Sequence, residues 1–186
     1  GGDNIRTVVL DPNTTLIPAS FAADLKNLTS VNFDDLINLE SIENNAFTGT
    51  SNLSNIDLSN CVELKEIKVH AFSNINNTSF ASLDLSQNTK LTNIGYCAFS
   101  NNTYLTSIKL PTNIETIGHH AFSNNNITEI SIPNTLKTLD SQVFANTKIT
   151  TLNLPDDLTI NGSIGPISTL TSIVFGNDTK VTNASL

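Results

Sequence analysis

The sequence predicts a solenoid, a stack of about eight turns of 20–27 residues each that share one continuous core. Three observations predict it. Phenylalanine, usually after alanine, recurs at Phe21, Phe47, Phe72, Phe99, Phe122 and Phe144, in steps of 26, 25, 27, 23 and 22 residues, and Ile164 follows 20 residues later. A pattern of apolar-x-x-apolar-x-apolar occurs eight times between these landmarks, from Ile5-Val8-Leu10 to Leu170-Ile173-Phe175. A second apolar pair then precedes the landmarks, as in Leu64-Ile67 before Phe72 and Ile114-Ile117 before Phe122. Periods of this length are the sequence mark of stacked repeats, because no single repeat can bury its apolar face alone.

Each turn reads in the same order. The last two apolar positions of the triplet alternate in and out, which is the period-2 signature of a half-buried strand. A turn follows, then the short second apolar segment, then a corner closed by the phenylalanine. This order predicts one strand per repeat, formed by the triplet, and a parallel sheet built from those strands. Eight turns at a strand spacing of about 4.8 Å predict a stack of about 35 to 40 Å.

Composition is consistent with this architecture. The 186 residues include 27 Asn, 24 Thr and 19 Ser, and these small polar types suit turns because they bond their own backbone or tolerate unusual dihedrals. Leu (21) and Ile (19) supply most of the apolar content, and Met and Trp are absent. At 38% hydrophobic the chain is too apolar for a disordered tail. No apolar run approaches the roughly 20 residues of a membrane span, so no membrane insertion is expected. A net charge of -8 argues against a nucleic-acid partner, which demands clustered Lys and Arg. Two cysteines, Cys61 and Cys97, are too few for a disulfide scaffold and read as buried small hydrophobes. Ten Asn-x-Ser/Thr sequons occur, Asn13 and Asn126 among them, against about six expected by chance at this composition.

The segment LTSIKLPTNIETIGHHAF, residues 105–122, resembles the BspA-like leucine-rich repeat, whose pattern is LxxIxLPxxLxxIGxxAF. Its LP element recurs at Leu110-Pro111, Ile132-Pro133 and Leu154-Pro155, and its IG element at Ile94-Gly95 and Ile117-Gly118. Repeats two to four carry Asp or Ser where later ones carry Pro, and the cysteine common after the AF element is missing. The resemblance implies a leucine-rich repeat solenoid with its parallel sheet on the concave side. A right-handed parallel β-helix has a similar period, but the spaced, loop-like AF corners favour the leucine-rich form. The resemblance further implies an extracellular or cell-surface setting, in bacteria or protists, and a protein-interaction or adhesion role.

Strand residues between the inward positions are expected to face solvent. That column reads Val9, Asn32, Asp57, Asp84, Lys109, Ser131, Asn153 and Val174, and the next one begins Asp11, Asp34. Asp11, Asp34, Asp57, Asp84, Lys109, Ser131 and Asn153 are the candidate binding residues. Four carboxylates on one half of a sheet invite Ca²⁺, which takes oxygen ligands at about 2.4 Å, but a solvated acidic surface partly neutralised by Lys109 is the reading preferred. Glycoside hydrolysis would need aromatic platforms around paired carboxylates, and only Tyr96 and Tyr104 are available. Two residues before each landmark stand Asn45, His70, Cys97, His120 and Gln142, a column that suggests zinc or a Cys–His nucleophile. Coils about 4.8 Å apart hold His70 and His120 too far from one another for a common ion, so side chains packed along a ladder are expected instead. No phosphate-binding glycine loop is present.

Neither catalysis nor a metal or other cofactor is expected. The function predicted is an extracellular or cell-surface binding module whose partner is a protein or glycoprotein of a host matrix or cell surface. A structural spacer and, less well supported, a carbohydrate-active enzyme are the alternatives. The chain is read as a single domain, residues 1–186. Gly1-Gly2 reads as a cloning remnant, and Val181 and Ala184 as the start of a further half-repeat in a longer array.

Overall fold

A computed structural model describes residues 4–54 and 56–182, so Gly1-Gly2 and Ala184 lie outside the described residues. The described residues form fourteen short strands and one 3-10 turn at Phe33–Asp35. In order they are β1 (Thr7–Val8), β2 (Leu16–Ile17), β3 (Ser30–Val31), β4 (Ser41–Ile42), β5 (Glu66–Ile67), β6 (Ser82–Asp84) and β7 (Asn93–Ile94). There follow β8 (Ser107–Lys109), β9 (Thr116–Ile117), β10 (Thr138–Leu139), β11 (Thr151–Asn153), β12 (Thr159–Asn161), β13 (Ser172–Val174) and β14 (Lys180–Thr182). All pairings are parallel, and the turns stack as a β-solenoid around one apolar core.

The sheet lies elsewhere than the triplet pattern predicts. Its eight strands run β14-β12-β10-β9-β7-β5-β4-β2, and all of them belong to the second, shorter apolar segment. Among the described residues the triplets form three two-stranded ladders, β1-β3, β6-β8 and β11-β13. The continuous sheet coincides with a constant spacing. From the inward residue of the second segment to the core position of the corner is five residues in six successive turns: Ile17 to Ala22, Ile42 to Phe47, Ile67 to Phe72, Ile94 to Phe99, Ile117 to Phe122 and Leu139 to Phe144. Segments of equal length stack residue over residue, so this half of each turn stays in register. From the corner to the next triplet the spacing varies, nine residues from Phe99 to Ile108 but eleven from Phe72 to Leu83 and eight from Phe122 to Ile130.

The corner is a rigid unit with a left-handed residue on each side of the phenylalanine. Asn45, His70, Cys97, His120 and Gln142 have φ between 52° and 58°, and Gly49, Asn74, Asn101, Asn124 and Asn146 have φ between 58° and 71°. The second set is Asn and Gly, the types that adopt this region most readily. Main-chain bonds then tie corner to corner: Phe47 N–H donates to Ala71 O (2.8 Å), Phe72 to Ala98 (2.8 Å), Phe99 to Ala121 (2.9 Å) and Phe122 to Val143 (3.0 Å). The rings stack in the same column, with centroids 5.3 to 6.1 Å apart from Phe47 to Phe144 and interplanar angles of 5° to 11°.

Phe21 departs from that column. The bonds Ala22 N–H to Ala46 O and Phe47 N–H to Ala71 O put Ala22, not Phe21, in the place of Phe47. Phe21 lies one position early, half-buried, and meets Phe47 edge-on at 6.1 Å. The last corner departs too. Gln142 N–H donates to Ser163 O, which aligns Ile164 with Gln142 rather than with Phe144, and Gly162 and Gly165 take positive φ there.

The inward side of the corner buries the phenylalanine carbonyls, which need donors. Thr50 and Thr147 hydroxyls donate to Phe47 O and Phe144 O, each at 2.7 Å. Asn102 Nδ2 donates to Phe72 O and Phe99 O, both at 2.9 Å, while its Oδ1 accepts Ile75 N–H at 2.8 Å. Asn125 repeats the arrangement one turn later, donating to Phe99 O at 3.0 Å and accepting Asn102 N–H at 2.8 Å.

Candidate functional site

Of the predicted binding residues, Asp84, Lys109 and Asn153 lie in the small ladders, whereas Asp11 and Asp57, the latter expected in a strand, lie outside any strand. Asp84 and Lys109 are paired in register across β6-β8, and Lys109 Nζ lies 3.0 Å from Asp84 Oδ2. Asn153 pairs with Val174 across β11-β13. Ser131 lies outside any strand, and Asp34 lies within the 3-10 turn rather than in strand geometry. Asp11, Asp34, Asp57, Asp84, Lys109, Ser131 and Asn153 are all exposed.

The acidic side chains on this face mostly hold their own turns. Asp11 Oδ1 accepts Asn13 N–H (2.8 Å), Asp57 Oδ1 accepts Ser59 N–H (3.0 Å) and Asp84 Oδ1 accepts Ser86 N–H (2.9 Å). The Ser59 hydroxyl, helped by its N–H, holds Asp57 below the usual carboxylate range against repulsion from Asp84. Ser86 does the same for Asp84, with Lys109 adding to it. Both groups are therefore carboxylates at neutral pH. Between them lies an open depression of about 280 Å³ lined by Ser54, Asp57, Ser79, Phe80, Ser82 and Asp84.

Ion pairs join neighbouring turns, Lys65 with Glu40, Lys68 with Glu43, Lys90 with Glu63, and Lys137 with Glu115, and Lys68 also pairs with Glu66 of its own turn. Asp11, Asp34, Asp35 and Asp57, in the first three turns, have no cationic partner among the described residues, nor do Asp24, Glu129, Asp140, Asp156, Asp157 and Asp178 elsewhere in the stack. Asp35 was not among the candidates from sequence. Its only signal is its place beside Asp34, and its Oδ2 accepts Asn32 Nδ2 at 3.0 Å.

The His–Cys–His column belongs to the left-handed corner positions. His70, Cys97 and His120 use their N–H groups to reach Tyr96 O (2.9 Å), His119 O (2.9 Å) and Ser141 O (3.2 Å). Burial pushes the Cys97 thiol up and both imidazoles down, His120 further lowered by His119. Outside the corner a row of rings runs along the stack: His70 against Tyr96 (5.4 Å), Tyr96 against His119 (5.4 Å) and His119 against His120 (4.0 Å). His119 Nδ1 lies 2.6 Å from Ser141 O, so this nitrogen carries the proton. Cys61 is buried, its thiol pushed up to about 12 by desolvation, far from a thiolate nucleophile. Among the described residues no three His, Cys, Asp or Glu side chains converge on a point where a metal ion would sit. No helix of the described residues is long and apolar enough to cross a membrane.

A family model for the BspA type leucine rich repeat region matches residues 2–89 and 75–185, with six copies. No curated protein matches the sequence. Among solved structures, the chain is similar to a leucine-rich repeat protein of Bacteroides ovatus, at 20% identity and a TM-score of 0.67, over 92% of this chain and 51% of that one. It therefore spans about half the length of that relative. A leucine rich cell surface protein of Faecalibacterium prausnitzii aligns at 14% identity and a TM-score of 0.35, over 91% of this chain and 79% of that one. The pneumococcal vaccine antigen PcpA aligns at 17% identity and a TM-score of 0.41, over 97% and 70%. The Bacteroides structure shares the solenoid fold.

Proposed function

Since the chain belongs to the BspA-type leucine-rich repeat family, we propose that it is a protein-interaction module, displayed outside the cell, that adheres to a protein or glycoprotein of a host matrix or another cell. The observation that carries this reading is the acidic face. Asp11, Asp34, Asp35 and Asp57 stand exposed and, among the described residues, without cationic partners, beside the Asp57–Asp84 depression. Such a surface steers a basic partner and sets the rate of encounter more than the final affinity. The face is shallow and rich in hydroxyls, with Thr106, Ser107, Thr128, Thr150 and Thr151 all exposed. It lacks the large aromatic anchors that usually dominate a tight interface. Affinity in the micromolar range per copy is therefore expected, strengthened when many copies are displayed together.

The test replaces Asp57 and Asp84 by Asn, which still accepts the N–H of Ser59 and Ser86 and so spares the turns. Capture of a panel of extracellular-matrix proteins is measured at low and high salt. The double variant should lose most of the captured protein, and salt should weaken capture by the parent. Salt-independent capture that survives both substitutions would sink the acidic-face reading. A chain that folds but captures nothing would favour a spacer.

A further inference from the structure

On the same face, five turns into the stack, the ladder stops. β8 bonds to β6 through Lys109, whose C=O accepts Leu85 N–H at 2.9 Å. In a parallel ladder successive residues direct their N–H and C=O to opposite neighbours, so Ile108 and Leu110 turn theirs toward the next turn, residues 127–132. That turn does not answer. Thr128 N–H still reaches Thr106 O at 3.4 Å, but no main-chain bond joins Glu129, Ile130 or Ser131 to β8 or to β11 among the described residues. Ile130 and Ile132 pack inward against the core, so the segment is held by its side chains while its backbone stays open. Between it and β8 lies a depression of about 310 Å³ lined by Ser107, Ile108, Lys109, Glu129, Ile130 and Ser131.

We propose that this notch is a second docking site of the interaction module and that its occupant is an extended polypeptide segment of a partner protein, held by main-chain hydrogen bonds. The chemistry of the walls selects that occupant. One wall offers the free C=O of Ile108 and N–H of Leu110, and the other the N–H and C=O of Glu129 and Ser131. Alternating donors and acceptors on two extended walls match another extended backbone, which is how peptides add to open strand edges. Lys109 at the rim is already paired with Asp84, whereas Glu129 is exposed and has no cationic partner among the described residues. The notch therefore favours a segment with a basic side chain facing Glu129. The site rests on the reading of the chain as an interaction module, but not on the acidic depression two turns away.

The test uses a capped pentapeptide, acetyl-Thr-Val-Lys-Val-Thr-amide, and its backbone N-methylated analogue. Amide hydrogen exchange at Leu110, Glu129 and Ser131 is read by NMR, with Ile94 and Ile117 of the continuous sheet as internal controls. The free protein should exchange quickly at the first three sites and slowly at the controls. Saturating peptide should slow the open amides about tenfold or more, the methylated analogue should not, and Ser131→Pro should abolish the effect while the controls stay protected. Open amides already as protected as Ile94 would mean water or protein closes the notch and would overturn the proposal. So would equal binding by the methylated peptide, or no binding at millimolar concentration. Because an Asp57→Asn variant leaves Asp84, its pair with Lys109 and this notch in place, it should still bind the peptide, and the two sites fail or succeed separately.

Discussion

Replacing Phe99 by alanine empties one place in a column of rings, and replacing Phe21 does not, although both stand at landmarks of the same repeat. Phe99 is fully buried and lies between Phe72 and Phe122, with centroids 5.5 and 5.6 Å away and planes within 5°. Phe-to-Ala changes in a packed core cost about 3–5 kcal/mol, the transfer term plus the cavity left behind. Two lost ring contacts of about 0.5–1.5 kcal/mol each place Phe99→Ala in the upper part of that range. The site is also hard to collapse, because main-chain bonds clamp the corners on either side. Phe21 is half-buried with one edge contact in the column at 6.1 Å, so Phe21→Ala should cost about 1–1.5 kcal/mol, roughly half the value of burying a phenylalanine. Urea unfolding followed by far-ultraviolet circular dichroism gives both numbers. Phe99→Ala should exceed Phe21→Ala by at least about 2 kcal/mol, with a smaller m-value if the damaged stack melts in two parts. Losses within about 1 kcal/mol of each other would refute the register assigned to the first corner.

Asn102→Ala should cost about 3 kcal/mol or more in the same assay, because it strips partners from the buried carbonyls of Phe72 and Phe99 and from Ile75 N–H; a loss under about 1 kcal/mol would show that water replaces the amide. Acid should loosen the corner column: burial holds His70 and His120 below their ordinary value, so the unfolded chain binds more protons. Their contribution is therefore complete above about pH 6.5 and is lost as pH falls through the depressed values. Between about pH 7.5 and pH 5 the parent should lose more Tm than a His70→Asn, His120→Asn double variant, since Asn keeps the left-handed backbone without the charge. Asp57, Asp84 and Glu43, also held low, titrate below this window; an equal loss in both proteins would rule out the histidines.

The order of elements and nearly all of the core were legible in the sequence, because a repeat that cannot bury itself has one solution, and eight copies of an apolar pattern state it plainly. Even the location of the continuous sheet was written there, in the constant five residues from Ile42 to Phe47 and from Ile117 to Phe122, but the longer triplet is the louder pattern and reads as the strand. Periodicity reports which residues point inward; whether neighbouring turns then join main chain to main chain is a property of pairs of repeats that segment length alone does not set, since Leu83 and Ile108 pair across unequal spacings. Phe21 misled for the same reason: a phenylalanine beside an alanine looks like its neighbours, and only the bond from Ala22 to Ala46 reveals a shift of one. His70, Cys97 and His120 look like chemistry as a column of letters, yet their backbone dihedrals make them corner residues. The open backbone at Glu129–Ser131 had no sequence signal at all. Its apolar residues keep the repeat pattern, and whether a neighbouring strand reaches them is decided by how the whole stack closes.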